Sequence, residues 1–393
     1  MATAPSSPLG PGTPPSAADP VRYGIIGAGM MGQEHLRNLL AVDGAVVTAL
    51  ADPHDRSVTD ALGWFPAGAE IAIFADAGEM VNADVCDAVV IATPNHTHLD
   101  VLLDVLDSDL HVLVEKPLCT TVADCRRVIA AAEGRDAVVW VGLEYRYMPP
   151  VARVIRGAHD GEVGRVRMVA LREHRFPFLE KVGDWNRFSR NTGGTLVEKC
   201  CHFFDLMAHI VGERPVRVMA SGSQDVNHLD EEYGGEVPDI LDNAYVIVEF
   251  PGGARGMLDL CMFAEASAHQ EELAVVGDVG KLEAFLPEST VRAGRRVDGP
   301  TGVRTETVHD PRVRHEGFHH GSSYLEHLDF LAAIRSGARP AVGLDDGLWS
   351  VAVGVAAHRS IDERRPVPLA EVLRSEDTTE SVGMLPKAPD RPE

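Results

Sequence analysis

The stretch TLVEKCCHFFDLMAHIVG, residues 195–212, sets Glu198, His202, Asp205 and His209 among Val, Cys, Phe, Leu and Met side chains. On a helix turning about 100° per residue, these four fall within roughly 60° of one another while nearly every other direction is apolar. A surface helix shows a wide wet face carrying Lys and Arg. This stripe is narrow, holds only acids and imidazoles, and reads as the lining of a cavity where protons are exchanged. Asp205 and His209, on the later turns, read as a structural pair. A metal centre is the competing chemistry, because Cys200, Cys201, His202 and His209 are crowded together. Adjacent helical residues point about 100° apart, so Cys200 and Cys201 do not grip one ion, and no second pair with ligand spacing follows. The His319–His320 doublet fails for a similar reason, and no metal is expected.

A lysine is the second reactive group. Lys116 ends the β-type run LHVLVEKP (110–117), and the residue before a proline is held out of helical conformation, extended at the strand end. An earlier run, VCDAVVIATPNHTH (85–98), is joined to it by the helical stretch LDVLLDVLDSD. Such alternation indicates parallel βαβ units, whose ligands lie beyond the carboxyl ends of the strands. Thr93, Pro94, Asn95, His98, Glu115 and Lys116 therefore face a cofactor.

The elements that must position these groups begin with VRYGIIGAGMMGQEHLRNLL: a short β-type run, then Gly27, Gly29 and Gly32, then a helical pattern. The first Gly permits a tight turn, the second lets backbone approach a pyrophosphate, and the third allows close helix packing. Met30 and Met31 lie between them and join the cofactor contacts. A second strand, AVVTALAD, ends at Asp52, twenty residues past Gly32, where an acid takes ribose hydroxyls. An acid there repels a 2′-phosphate, so NAD is expected over NADP, with Arg56 nearby moderating the preference.

Bulk properties bound the rest. At 393 residues the chain is long enough for two domains, and no apolar run reaches the roughly 18 to 20 residues needed to cross a bilayer. A formal charge of −23 disfavours nucleic acid and anionic membranes, which reward clustered Lys and Arg. Six cysteines without C-x-x-C spacing suit reduced, buried thiols of a cytoplasmic protein. Residues 1–20 lack the basic start and apolar block of a secretory signal and read, like 374–393, as a disordered tail.

GIIGAGMMG, ADPHDRS, ATPNHTH, EKPL, the Gly193–Gly194 pair followed by a helix with His202, and SYLEHLDFLAAIRSGARPAV together resemble the Gfo/Idh/MocA oxidoreductases. That group includes glucose–fructose oxidoreductase and inositol dehydrogenases, and the likeness runs from about Val21 to Leu369. It implies an α/β plus α+β architecture: an N-terminal Rossmann NAD-binding domain (21–143) and a C-terminal α+β domain (144–373) on a large, open sheet. The runs VRMVALREH, VRVMASGSQ, NAYVIVEF, ARGMLDLCM and ELAVVGD independently point to a mostly antiparallel sheet. One face of such a sheet needs cover, and a homodimer or homotetramer through it is expected.

The resemblance also implies site residues. Family members that oxidise sugars or cyclitols use the lysine of E-K-P with an acid and a histidine spaced D-x-x-x-H. Here the lysine is Lys116, the histidine His202, and the acid position holds Glu198 in place of Asp. Oxidising a secondary alcohol requires its hydroxyl proton to leave, which suits His202 as acid/base with Lys116 stabilising charge on the same oxygen. Glu198 would orient the imidazole or bind a neighbouring hydroxyl; its rival role, from Thr195-x-x-Glu198 spacing, is a capping box. Placement by resemblance also sets Arg146, Trp185 and Arg187 on the substrate wall, with Tyr145, Tyr147 and Asn186 beside them. The expected function is NAD-dependent oxidation of a ring hydroxyl of a small polyhydroxylated sugar or cyclitol. A glycoside-processing enzyme with transient oxidation and a non-catalytic nucleotide sensor are the alternatives.

Overall fold

The computed structural model describes residues 19–375. The tails expected at 1–20 and 374–393 lie outside the described residues apart from their innermost two positions. Of these, Arg374 and Ser375 continue the last helix.

The first half forms six strands: β1 (Val21–Ile26), β2 (Ala45–Ala51), β3 (Ala72–Phe74), β4 (Ala88–Ile91), β5 (His111–Glu115) and β6 (Val139–Gly142). All pair in parallel, in the order β3-β2-β1-β4-β5-β6. Helices α1 (Met30–Leu40), α2 (Asp55–Leu62), α3 (Ala77–Val81), α4 (His98–Leu106) and α5 (Val122–Ala131) alternate with them. Parallel strands covered on both faces must be apolar along their length, and every residue of β4 and of β6 is buried. This is a Rossmann fold. Its strand order reverses between β1 and β4, so a crevice opens beyond their carboxyl ends, where Gly27 and Thr93 stand.

The second half builds a nine-stranded sheet from β7 (Val166–His174), β8 (Arg217–Ser223), β9 (Asn243–Glu249), β10 (Arg255–Cys261), β11 (Glu271–Gly277), β12 (Gly280–Leu286), β13 (Thr290–Arg295), β14 (Arg304–Thr307) and β15 (Val367–Pro368). The order is β14-β13-β12-β11-β7-β10-β9-β8-β15. Its pairs are antiparallel except β7 with β10. The remaining helices are α6 (Pro149–His159), α7 (Ser189–Thr192), α8 (Thr195–Glu198), α9 (Cys201–Val211), α10 (Ser322–Ser336), α11 (Leu344–Glu363) and α12 (Leu369–Ser375).

Period-two burial along β9 sends Ala244, Val246 and Val248 inward and leaves Tyr245 and Ile247 exposed. The inward face is covered by α6, α9 and α11. Helices also join the two sheets: α10 packs on α1, and α11 touches α5 and β6 as well as α9 and β8. The segment 195–212, expected as one helix, is two. α8 ends at Glu198 and α9 begins at Cys201.

Candidate active site

The nucleotide crevice is shaped by its glycines. Gly27 has φ 92°, and a Cβ there would lie 2.7 Å from the Ala92 backbone. A Cβ on Gly32 would collide with the Gly27 carbonyl, so α1 starts hard against the turn. Gly29 has open space where its Cβ would be, and it caps α1 with no side-chain hydrogen bond. The first-turn N–H groups of Met30, Met31 and Gly32 therefore lack a side-chain acceptor, the arrangement that receives a phosphate at a helix N-terminus. Asp52 accepts from Ala28 N at 2.7 Å and from His54 N at 2.8 Å, which fixes its carboxylate beside the glycine turn. These features fit NAD. Arg56 is 95% exposed, with Asp60 at 3.8 Å as its ion partner.

Three residues expected to face the cofactor are instead enclosed by protein. His98 is fully buried with Nδ1 2.8 Å from Pro117 O and Nε2 3.1 Å from Thr93 O, so it ties the loop after β4 to the turn after β5. Glu115 is buried with Oε1 2.8 Å from His35 Nε2, and Oε2 accepts from Lys116 N at 3.1 Å. Burial opposes its charge, but His35 and Lys116 outweigh that and hold its pKa down at about 2. Asn95 is likewise buried, while Thr93 and Pro94 are half-buried at the crevice.

Lys116 and the stripe meet. Lys116 Nζ donates at 3.2 Å to the Glu198 carbonyl at the C-terminal end of α8, which also accepts from the Cys201 thiol at 3.5 Å. The Gly193–Gly194 pair makes the approach possible. A Cβ on Gly193 would lie 2.7 Å from Thr120 O, four residues past Lys116, and one on Gly194 (φ 86°) would strike His358. Thr195 Oγ1 donates to Leu241 O at 2.6 Å and Gly194 is the N-cap, so the capping box is not formed. Glu198 Oε2 is buried without a hydrogen-bond partner. Burial raises its pKa against the pull of Lys116, Lys181, Lys199 and Arg187.

His202 is 2% exposed and lies flat on Tyr145, with ring centroids 4.0 Å apart and planes 6° from parallel. Its Nδ1 has no partner, and Nε2 is 3.7 Å from Glu144 Oε1. Burial, then Lys116, Lys199 and His319, push its pKa well below the usual imidazole value. The Lys116 ammonium is favoured overall: burial disfavours it, but Cys201, Glu115, Glu198 and Glu144 raise its pKa. Beneath His202 the Tyr145 hydroxyl donates to Glu271 Oε1 at 3.0 Å and receives Lys199 Nζ at 2.7 Å. Lys199 also pairs with Glu173 at 2.9 Å.

The substrate-wall residues divide. Trp185 is half-buried and meets His96 edge-on at 6.2 Å, on the cofactor loop. Arg187 is buried, donates to Glu231 at 2.8 Å, and lies close enough to Glu198 to lower its pKa. Arg146 is turned away, its guanidinium held by both oxygens of Asp205, with Asp346 at 3.3 Å and the Ala341 carbonyl at 3.0 Å. Asp205 is thus structural, though its partner is Arg146; His209 packs on His159 at 5.2 Å. Among the described residues, no three His, Cys, Asp or Glu side chains are grouped to hold a metal.

Sequence reasoning missed Glu144, Lys199 and His319. Glu144 follows β6 directly, and the rule that points to residues beyond parallel strand ends would have found it. His319 was weighed only as half of a metal pair.

Comparison with known proteins agrees with the two-domain fold. Residues 21–143 match the Gfo/Idh/MocA oxidoreductase family's NAD-binding Rossmann fold, and 159–369 match its C-terminal alpha/beta domain. Myo-inositol 2-dehydrogenase of Thermotoga maritima is 29% identical, over 90% of this chain and 100% of its own length. Inositol 2-dehydrogenase of Rhizobium meliloti is 27% identical, over 89% and 99%. The crystal structure of a probable dehydrogenase from Thermotoga maritima superposes with a TM-score of 0.71 at 28% identity, over 90% of this chain and 100% of that one.

Proposed function

This chain belongs to the Gfo/Idh/MocA oxidoreductase family, and from that premise we propose that it oxidises a ring secondary hydroxyl of an inositol-like cyclitol or sugar, reversibly, with NAD. The observation that carries the reading is the contact of Lys116 Nζ with the Glu198 carbonyl, one turn from His202. Two groups remote in sequence thereby face one small volume at the crevice. The names of the relatives support the cyclitol class.

NAD would be held by the open side of Gly29, the first turn of α1 and Asp52. When bound, it supplies the acceptor for the carbon-bound hydrogen and its electron pair. His202, kept neutral by burial and by the nearby ammonium groups, takes the hydroxyl proton at Nε2, the nitrogen on the Glu144 side of the ring. Lys116 stabilises the negative charge that develops on the same oxygen. Glu198 uses its unpartnered carboxyl to bind a neighbouring hydroxyl. The domain division at 143/144, a cytoplasmic location and self-association through the nine-stranded sheet complete the proposal. Six free cysteines support a reducing compartment, and among the described residues no helix is long and apolar enough to cross a membrane.

The experiment is a panel of inositols, monosaccharides and glycosides with NAD and NADP, following reduced cofactor. His202→Ala is expected to bind NAD as the wild type does and to lose turnover by about 10²-fold or more. Unchanged turnover removes His202 from the reaction.

A further inference from the structure

A base that takes one proton per turnover must return it to water. His202, on α9, has no direct way to do so at 2% exposure and stacked on Tyr145. Glu144 is equally enclosed, its side chain 3% exposed, and neither of its carboxyl oxygens has a hydrogen-bond partner. A carboxyl group sealed from water with both oxygens unsatisfied is costly and calls for a role.

The geometry supplies one. Glu144 Oε1 lies 3.7 Å from His202 Nε2 and 3.5 Å from His319 Nδ1, and the His319 side chain is 22% exposed. One oxygen therefore stands between a buried imidazole and one that reaches solvent. His319 ends a 3-10 turn (Gly317–His319) ahead of α10, anchored on α1 by the bond from Phe318 N to Glu34 Oε1 at 3.1 Å. Its Nδ1 is also unpartnered. We propose that Glu144 and His319 form the proton route between His202 and solvent.

The inference rests on the dehydrogenase reading and deepens it. His202 Nε2 takes the hydroxyl proton and passes it to Glu144 Oε1, as Glu144 releases its own proton through His319 to water. An imidazole can accept a proton at one nitrogen while releasing one from the other. One proton leaves per alcohol oxidised, the electron pair departing separately with the carbon-bound hydrogen to NAD. Each gap closes by roughly 1 Å to reach hydrogen-bond length, within the reach of a side-chain torsion. The charged and titratable groups around Glu144 are Glu115 at the end of β5 and Lys116 after it, Tyr145 next in the chain, Lys199, Cys201 and His202 from the 195–212 segment, His319, and Glu326 on α10. Burial and then Glu115 push Glu144 up to about 8, so near neutrality it already holds the proton it will hand on.

The route is tested on the full chain without cofactor or substrate, by magnetisation transfer from water to the ring N–H of isotope-labelled histidine. The His202 signal is identified by its loss in His202→Ala. Exchange of this proton is expected to slow about tenfold in Glu144→Gln and in His319→Asn, with added imidazole restoring it in the second variant. During turnover of a polyol from the panel, proton release to a pH dye then lags cofactor reduction in His319→Asn. Equal exchange in wild type and both variants overturns the route and leaves the dehydrogenase reading intact. Full turnover in His202→Ala overturns the reading, and the route loses its purpose with it.

Discussion

Arg146 shows how a residue with the chemistry of a binding group becomes part of the frame. Its guanidinium is 9% exposed and fully taken up by Asp205, Asp346 and the Ala341 carbonyl. Removing one partner of a buried pair leaves the other charge uncompensated. Arg146→Ala is therefore expected to lower unfolding free energy by about 3–5 kcal/mol, measured by urea titration. The KM of the folded fraction should hardly move; an about tenfold higher KM at unchanged stability would put Arg146 on the substrate after all. Sequence shows that an arginine follows β6, but its partner lies 59 residues away, and one chain without its fold does not reveal such pairings. A still larger separation along the chain hid Glu144 from His319. By contrast Lys116, Glu198 and His202 were legible because strand ends and helical spacing are local properties.

At the scale of elements, α1, β5 and α10 are clasped by three buried side chains. Glu115 at the end of β5 bonds His35 of α1 at 2.8 Å, and His35 Nδ1 lies 2.9 Å from His327 Nε2 of α10. This chain sets the strand end from which Lys116 projects. Glu115 is held at about 2, below its unfolded value near 4.5. It thus contributes stability above the unfolded value that is lost as pH falls from there through about 2. His35→Gln removes the imidazole that helps hold the Glu115 pKa down, so its Tm at neutral pH should be lower and its decline on acidification shallower. Parallel decline in the two proteins would show that the clasp is not the acid-sensitive link. The elements legible beforehand were those with clean periodicity: β7 to β11 lie where alternation placed them. β12 to β14 were missed because Gly, Glu and Arg interrupt their pattern. The break between α8 and α9 does not show in the spacing of apolar residues; at it, Lys116 from the other domain takes the Glu198 carbonyl.

Across the whole molecule, the nine-stranded sheet leaves the outward side chains of its middle strands exposed among the described residues. Register places Met219, Ile247, Met257, Ala170 and Ala274 side by side on β8, β9, β10, β7 and β11. Met219, Ile247 and Met257 are 47%, 37% and 42% exposed, with Met168 and Tyr245 exposed beside them. A contiguous apolar row on a flat sheet is a surface that association would bury, and a second copy of the chain offers the same row. Each copy carries −23, so long-range charge opposes pairing while the apolar row favours it. Salt screens the first and not the second, so added salt should strengthen association. Ile247→Arg and Met257→Arg, placed on the outward face, should leave the fold intact and reduce the light-scattering mass to that of one chain. If both variants keep the wild-type mass, this row is simply exposed and takes no part in association.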